Sequence, residues 1–209
     1  MKIIEPSIKL EDKIDGNEII KKIEKIGRVC YKSENNITDD SAERFIKNII
    51  KNGHESVLEH VSISVRVVCD RGVSHEIVRH RVASYSQESQ RYCNYSKEKF
   101  GNELTFIKPC FWEEGEINYI LWKEYCETTE RVYKEMLNHG ATPQEARSIL
   151  PNSLKTEIVM TMNLREWRHF FKLRCSKRAH IQMREVANMI LKELESKIPV
   201  VFDDIEVIG

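Results

Sequence analysis

Residues 79 to 91 of the chain, "RHRVASYSQESQR", carry three arginines and one histidine among mostly neutral polar side chains, with one acidic residue, Glu88. Lysine is absent between Lys51 and Lys97, although lysine outnumbers arginine in the whole chain. Arginine offers a planar fork of donors that matches phosphate and carboxylate groups, whereas lysine offers a mobile point charge. The segment therefore predicts a loop that holds an anionic ligand, with surface arginines on a solvated loop as the alternative.

A second set of arginines follows in the later part of the chain. Each bidentate bond from a guanidinium to an anion contributes about 1.5–3 kcal/mol net. Arginines on helices are also commonly solvated or paired with glutamate, so composition alone leaves both interpretations open. The set comprises Arg165, Arg168, Arg174, Arg178 and Arg184, and Arg147 lies between the two groups in sequence.

Ser89 and His80 raise nucleophilic catalysis as a further alternative, since both lie in the same polar segment. A serine nucleophile needs a base within hydrogen-bond reach and a third group that orients the base. No G-x-S-x-G elbow surrounds Ser89, and no third member is evident in the sequence. A hydrolase is therefore kept only as an alternative.

Two histidine-rich stretches lack the spacing of a metal site. In "HEIVRH", His75 and His80 stand five residues apart, which is about 140° around a helix, so they do not share a face. In "HESVLEH", His54 and His60 are six apart, and we predict no metal. The eight glycines form no GxG pair, so neither a Rossmann nor a Walker loop is available for nucleotide phosphates.

Hydrophobic periodicity predicts the elements that position these side chains in the first half of the chain. Residues 2–10 alternate weakly and residues 61–70 alternate strongly, which predicts two strands. Residues 16–27 and 38–53 have helical periodicity, and the second helix is expected to end at Gly53. The first half is therefore predicted to be mixed.

The second half is predicted to be mostly helical, with one strand. Thr142, Pro143 and Glu145 match the N-cap, N1 and N3 positions of a helix. Asn163 with Glu166 three residues later resembles a capping box. The predicted helices are 113–139, 142–150, 163–174 and 178–197, and the predicted strand is 155–163.

These elements predict an α+β fold, because helices and strands interleave without a βαβ rhythm. We expect a mostly antiparallel sheet packed with long helices in a single domain, residues 1–209. The 33 basic and 33 acidic side chains cancel, which argues against a general nucleic-acid coat or a binder of anionic membranes. Six scattered cysteines without a CxxC pair, and no signal peptide or membrane span, predict a cytoplasmic protein with free thiols.

The arrangement "RHRVASYSQES", Arg79 to Ser89, is RHR followed by seven residues and a serine. It resembles the signature of the flavin-dependent thymidylate synthases. Three more segments resemble that family in its own order and spacing over about residues 50–200. They are "GHESVLEH" (53–60), "ARSILP" (146–151) and "MNLREWRHFFKLRCSKRAH" (162–180).

The resemblance implies reductive methylation of dUMP to dTMP in de novo dTMP biosynthesis. Methylenetetrahydrofolate would supply the carbon, and NADPH would reduce a bound FAD that supplies the hydride. The family's fold is of the α/β type, and its homotetramer builds each active site from neighbouring chains. That assembly would hold FAD without a Rossmann loop.

The resemblance also assigns residues by matching position. Arg174 would polarise the uracil and stabilise charge at its N3, and Ser89 would position the substrate rather than attack it. Residues implied for FAD are His54, Ser56, Arg79, His80, Arg81 and Gln87, with Asn163, Arg165 and His169 contributed by another chain. Residues implied for dUMP are Glu76, Arg79, Gln87, Glu88, Ser89, Gln90, Arg91, Arg147 and Arg174.

Two positions depart from the family pattern. Glu76 stands where glutamine is expected; because an anion near a nucleotide phosphate is unfavourable, it would face the sugar or base or pair with an arginine. His180 also replaces a glutamine. Two alternatives stay open: a catalytically inactive homologue, and a single-strand nucleic-acid binder that uses Tyr85, Tyr92 and Tyr95 for stacking.

Overall fold

The computed structural model describes residues 1–98 and 101–206 of the chain. Within these residues helices and strands are mixed along the sequence, and helices predominate. The strands are β1 (Lys2–Ile4), β2 (Ser7–Leu10), β3 (Ser62–Asp70), β4 (Ser84–Gln87), β5 (Thr105–Ile107) and β6 (Lys155–Asn163). The helices are α1 (Gly16–Arg28), α2 (Ser41–Lys51), α3 (Arg71–Ile77), α4 (Ile117–Asn138), α5 (Pro143–Ala146), α6 (Leu164–Arg174), α7 (Ile181–Lys197) and α8 (Pro199–Phe202).

Four strands form an antiparallel sheet in the order β2-β3-β6-β4. The two longest strands, β3 and β6, are central, and each buries alternate side chains. A separate pair joins β1 to β5 in parallel, with Lys2 opposite Thr105 and Ile4 opposite Ile107. The predicted α+β class with a mostly antiparallel sheet is therefore confirmed.

The chain divides into two compact units, each assembled from separated segments. The first unit comprises Met1–Ser7, Val67–Arg79 and Ser86–Val159, and the second comprises Ile8–Arg66, His80–Tyr85 and Met160–Gly209. Four of the five boundaries fall inside strands, and the fifth lies between Arg79 and His80. A single domain over residues 1–209 stays a prediction.

Each unit has its own aromatic core. In the first unit, Tyr95 lies near Tyr133 with ring centroids 6.2 Å apart, inside a buried cluster that includes Phe106. In the second unit, Trp167 stacks on Phe171 at 5.6 Å.

Among the residues described, no helix has the length and apolar character to cross a membrane.

The predicted strand 2–10 is wrong in its continuity. The structure breaks it at Glu5 and Pro6 into β1 and β2, because proline has no N–H to donate to a ladder. The predicted loop after Arg81 is also wrong in part, since Ser84–Gln87 form the edge strand β4. Its polar side chains gave no apolar alternation from which to predict a strand.

Several helix ends differ from the predictions. α4 begins at Ile117 rather than at residue 113, and α7 begins at Ile181 rather than at residue 178. The predicted helix 142–150 is an α-helical turn, Pro143–Ala146, followed by a 3-10 turn, Arg147–Ile149. The predicted cap at Thr142 is confirmed, because its backbone N–H donates to Glu145 Oε2 at 2.7 Å.

Candidate active site

Helix α6 supplies a polar face to the second unit. Asn163 caps the helix, because its Oδ1 accepts the backbone N–H of Glu166 at 2.9 Å, as the sequence predicted. Arg165, His169 and Lys172 are exposed, and their spacing of four and three residues places them on one face. The sequence thus folds locally into a helix that buries aromatic side chains and presents cationic and imidazole groups to solvent.

That face borders an open cavity of about 500 Å³. The cavity brings together three residues that the family resemblance implies for FAD: Asn163, Arg165 and His169. Carboxylates from the 3-10 turn Glu55–His60 lie opposite the cations. The residues that line the cavity are Glu55, Glu59, Val82, Asn163, Arg165, Glu166, His169 and Lys172.

The donors in this cavity fit a phosphorylated cofactor. Arg165 Nη1 contacts Glu59 Oε1 at 2.6 Å, and the two side chains are 51% and 46% exposed. An ion pair this exposed contributes only about 0–1 kcal/mol, so the guanidinium can exchange its partner for a phosphate at small cost. Lys172 Nζ lies 3.7 Å from Glu55 and is similarly exposed.

Three other second-unit residues implied for FAD are neighbours in sequence of residues that line this cavity. His54 and Ser56 are exposed, and Ser56 belongs to the turn that supplies Glu55 and Glu59. Arg81 is exposed and precedes Val82, which does line the cavity. Among the described residues, the cavity lining does not include the side chains of these three.

His80 is buried, with 5% of its surface exposed, and both ring nitrogens have partners. Arg174 donates from Nε to Nε2 of His80 at 3.0 Å, and Nδ1 lies 3.4 Å from Glu166 Oε1. Phe170 packs edge-on against the ring with centroids 4.8 Å apart. Tyr85 donates its hydroxyl to the backbone oxygen of His80 at 2.6 Å, which fixes the main chain.

The tautomer of His80 follows from its partners. A guanidinium has donors only, so Nε2 must carry a lone pair and the neutral ring must carry its proton on Nδ1. That proton then points to Glu166. Burial, followed by the nearby Arg174 and His169, lowers the pKa of His80 to about 4, so the ring is neutral near pH 7.

A metal ion is a second interpretation of the same group. Ligand atoms of His80, Glu166 and His169 lie within 4.8 Å of one another. However, Arg174 uses the lone pair on Nε2, and Nδ1 then carries the ring proton, so His80 has no lone pair left for a metal. The hydrogen-bonded arrangement therefore accounts for the group better than a cation does.

Arg168, on α6, binds the C-terminal segment at Val201 and Asp204. Its guanidinium is 1% exposed and makes two bonds to Asp204, at 2.6 Å and 2.8 Å. It also contacts Glu55 at 3.2 Å and the backbone oxygen of Val201. Of the downstream arginines, this one serves structure rather than a ligand, because its donors are used within the protein.

In the first unit, hydrogen bonds to neighbouring residues hold the end of β4 and the residues that follow it, 87–91. Gln87 donates from Nε2 to Ser74 Oγ at 2.9 Å and to Thr156 Oγ1 at 3.2 Å. Arg71 donates from Nη1 to the same Thr156 hydroxyl at 2.9 Å and to the backbone oxygen of Glu88 at 3.2 Å. These bonds fix the backbone that leads into Ser89.

The carboxylate of Glu88 is used inside the first unit. It accepts from the Tyr95 hydroxyl at 2.8 Å and from Lys155 Nζ at 2.7 Å. Burial, and then the Glu88 carboxylate, raises the pKa of Tyr95, so this phenol stays protonated and continues to donate. Glu88 therefore ties the segment 87–91 to Tyr95 and Lys155.

The structure brings Arg91 beside α5. Arg91 donates from Nε to Gln144 Oε1 at 2.9 Å, and Arg147 follows three residues later on the adjoining 3-10 turn. Ser89 Oγ accepts the backbone N–H of Arg91 at 3.3 Å, so the signature serine also shapes the turn. Ser89 and Gln90 are partly exposed, whereas Arg91 and Arg147 are exposed.

Two further residues implied for dUMP lie at the end of α3. Glu76 is on the last turn of the helix and is partly exposed, and Arg79 follows the helix and is exposed. Asp70 caps the start of α3 by accepting the N–H of Val73 at 2.8 Å. The helix thus carries Glu76 and Arg79 on a defined backbone.

Sequence reasoning missed the partners that hold the predicted residues. Glu166 entered only as a capping residue, and Arg71, Tyr95 and Lys155 were not assigned to the site. Glu166 and His169 do stand three residues apart on a helix, a spacing that places two side chains on one face. That signal was available, but His80 comes from 86 residues earlier and no local pattern points to it.

Comparisons with known proteins identify a matching family model and named relatives. Residues 10–200 match the family model described as thymidylate synthase complementing protein. A relative from Pyrococcus furiosus, named flavin-dependent thymidylate synthase, is 40% identical over 172 residues, or 82% of this chain and 70% of the relative. One of the same name from Geobacter sulfurreducens is 33% identical over 184 residues, or 85% of this chain and 78% of the relative.

A solved structure has the same fold. It is a UMP/dUMP methylase, PolB from Streptomyces cacaoi, bound with 5-Br dUMP. It superposes with a TM-score of 0.79, covers 97% of this chain and 96% of its own, and is 21% identical in sequence. At that sequence identity the likeness establishes the fold only, and any ligand must be argued from the site residues of this chain.

Proposed function

The chain belongs to the flavin-dependent thymidylate synthase family, and we propose that it methylates dUMP to dTMP. In this proposal 5,10-methylenetetrahydrofolate donates the carbon and NADPH is the reductant. The protein would act in de novo dTMP biosynthesis in the cytoplasm. FAD, when bound and reduced, supplies a hydride.

The observation that carries the proposal is the cavity beside α6. Asn163, Arg165 and His169 line it together, although the resemblance alone gave only their positions in sequence. Arg165 supplies a forked donor for a phosphate, and Asn163 and His169 supply hydrogen-bonding groups for the rest of an FAD molecule. His54, Ser56, Arg79, His80, Arg81 and Gln87 complete the proposed flavin set.

For dUMP we assign the segment 87–91 and the residues near it. Arg79, Arg91 and Arg147 are exposed and suited to the phosphate. Ser89 and Gln90 provide neutral donors, and Glu76 is placed toward the sugar or base. The contacts of Gln87 and Glu88 within the first unit favour holding this segment in shape over a direct contact with the nucleotide.

Arg174 is the proposed catalytic residue. A guanidinium is always charged and, when held in place, stabilises developing negative charge without rearrangement during the reaction. Arg174 is partly buried at the end of α6, which limits competition from water. Its proposed task is to polarise the uracil ring and stabilise negative charge at N3.

The proposal includes a homotetramer with active sites shared between chains. Helix α4 supports self-association, because it exposes an apolar stripe at helical spacing. The stripe consists of Ile117, Ile120, Leu121 and Tyr125, which are 66%, 41%, 55% and 56% exposed. Burial of such a stripe against another copy removes apolar surface from water.

The experiment for the flavin assignment is FAD binding by the purified protein. We expect the protein to be yellow or to take up added FAD, with quenching of flavin fluorescence. A colourless protein that does not bind added FAD refutes the proposal. Oligonucleotide affinity that falls steeply with salt would support the nucleic-acid binder instead.

A further inference from the structure

Arg174, His80 and Glu166 form a short chain of hydrogen bonds in the second unit. The guanidinium donates from Nε to the imidazole at 3.0 Å, and the imidazole faces the carboxylate at 3.4 Å. The order of donors is fixed by chemistry, because arginine cannot accept and an ionised carboxylate cannot donate. The imidazole must therefore accept on one side and donate on the other.

The surroundings of His80 hold its ring in one orientation. Phe170 contacts it edge-on, at an interplanar angle of 63°, and the ring is nearly inaccessible to solvent. Tyr85 restrains the backbone of the same residue through its hydroxyl. A ring held in this way presents its Nε2 lone pair in a constant direction.

The bond to His80 uses the Nε donor of Arg174, which is the donor nearest the backbone. A bond at this position fixes the plane of the guanidinium, because Nε belongs to the same planar group as the two terminal amino groups. An arginine side chain otherwise loses rotamer entropy when it is ordered. Holding Nε in advance reduces that cost when a substrate binds the guanidinium.

We propose that His80 and Glu166 are positioning residues that fix the guanidinium of Arg174 for the uracil ring. The inference rests on the proposed function, and it gives the histidine of the RHR segment a task distinct from binding FAD. His80 would act through Arg174, and Glu166 would act through His80 by holding its tautomer. Neither is expected to touch the reacting atoms.

Four substitutions test this arrangement. His80→Leu removes the acceptor for Arg174 in a similar volume, whereas His80→Gln keeps an amide oxygen near the position of Nε2. Glu166→Leu removes the partner of Nδ1, whereas Glu166→Gln keeps an acceptor. Each polar replacement is therefore the matched control of its apolar one, and thermal unfolding identifies any variant that does not fold.

The kinetic expectation for His80→Leu is a loss in kcat, measured at saturating FAD, by about tenfold to a hundredfold. His80→Gln is expected to recover a substantial part of that loss. In an Arg174→Ala background, His80→Leu should cost little more, because the group that it positions is gone. Loss of FAD affinity with unchanged kcat at saturating FAD, or full additivity of the two losses, would overturn the proposal.

The tautomer of His80 can be measured without any assay of turnover. ¹⁵N chemical shifts of the His80 imidazole are expected to show a protonated Nδ1 and a bare Nε2 near pH 7. A protonated Nε2 would overturn the proposal, since Arg174 could not donate to it. Because this result does not depend on activity, an inactive wild-type protein with the expected tautomer would count against the thymidylate synthase function alone.

Discussion

Arg174 and His80 are 94 residues apart in sequence, and the structure joins them by a 3.0 Å hydrogen bond from Nε to Nε2. The first lies at the end of α6 and the second lies in the RHR segment. The bond links two of the four segments on which the family resemblance rests. It therefore provides a physical reason for the two segments to occur together.

Arg174→Ala should abolish most dTMP formation while the protein still binds FAD. Removal of a fixed donor that stabilises transition-state charge costs on the order of a hundredfold to a thousandfold in kcat. Lys177→Ala is the matched control, because Lys177 is an exposed cation three residues further along. Normal turnover by the Arg174 variant would show that its assigned role is wrong.

The depressed pKa of His80 predicts a loss of stability in acid. The folded value of about 4 lies below the ordinary value of 6.5, so the unfolded chain binds more protons between these limits. The free energy of unfolding should therefore fall as pH drops from about 6.5 to about 4. Arg174 and His169 oppose protonation of the ring, whereas Glu166 lies beside Nδ1.

Urea unfolding of wild type and His80→Gln, at fixed protein concentration, isolates this contribution. The wild type should lose more stability than the variant between about pH 7 and about pH 4.5. Burial raises the pKa of Glu166, but that carboxyl is present in both proteins and largely cancels. His60→Gln, at an exposed histidine, should behave like wild type, and equal acid sensitivity in all three would exclude the effect.

Asp204→Asn should destabilise the protein by about 1–2 kcal/mol. Asp204 makes two bonds to the buried guanidinium of Arg168, and these bonds lower the pKa of its carboxyl. The neighbouring Asp203 is exposed, so Asp203→Asn is the control and should have little effect. Equal unfolding midpoints for the two variants would mean that the Arg168 contact does not stabilise the C-terminal segment.

Glu59→Gln should strengthen FAD binding by several-fold. The change releases Arg165 from its 2.6 Å ion pair and removes a negative charge from the cavity edge. Glu43→Gln breaks a similar exposed pair with Lys47 on α2 and serves as the control. Flavin fluorescence quenching measures both, and weaker binding by Glu59→Gln would place Glu59 among the residues that contact FAD.

Leu121→Arg should weaken the proposed tetramer. A charge in the apolar stripe of α4 is costly to bury against another copy. Light scattering after size exclusion should give four chains for wild type and fewer for the variant at the same concentration. A monomeric wild type would remove the shared-site part of the proposal.

Local pattern was sufficient for the elements with strong periodicity. β3 and β6 alternate cleanly, and both were predicted within one residue of their ends. β5 has only three residues, and β4 is polar, so neither carried a signal long enough to detect. Pairing with other strands, rather than intrinsic preference, makes these short segments extended.

The sequence indicated which residues belong to the candidate site, but not the hydrogen bonds and ion pairs that hold them. The family resemblance placed Asn163, Arg165 and His169 in one set, and the structure brings them to one cavity. The resemblance did not indicate that Glu88 bonds Tyr95 and Lys155, or that Arg168 is buried. Those contacts depend on tertiary distances that no motif records.

Formation of dTMP from dUMP by the FAD-loaded protein is the most direct test of the proposed function. The assay contains NADPH and methylenetetrahydrofolate, and each component is omitted in turn. We predict dTMP only when dUMP, NADPH and methylenetetrahydrofolate are all present, and almost none with Arg174→Ala. An FAD-loaded protein that forms no dTMP in the complete mixture would contradict the assignment.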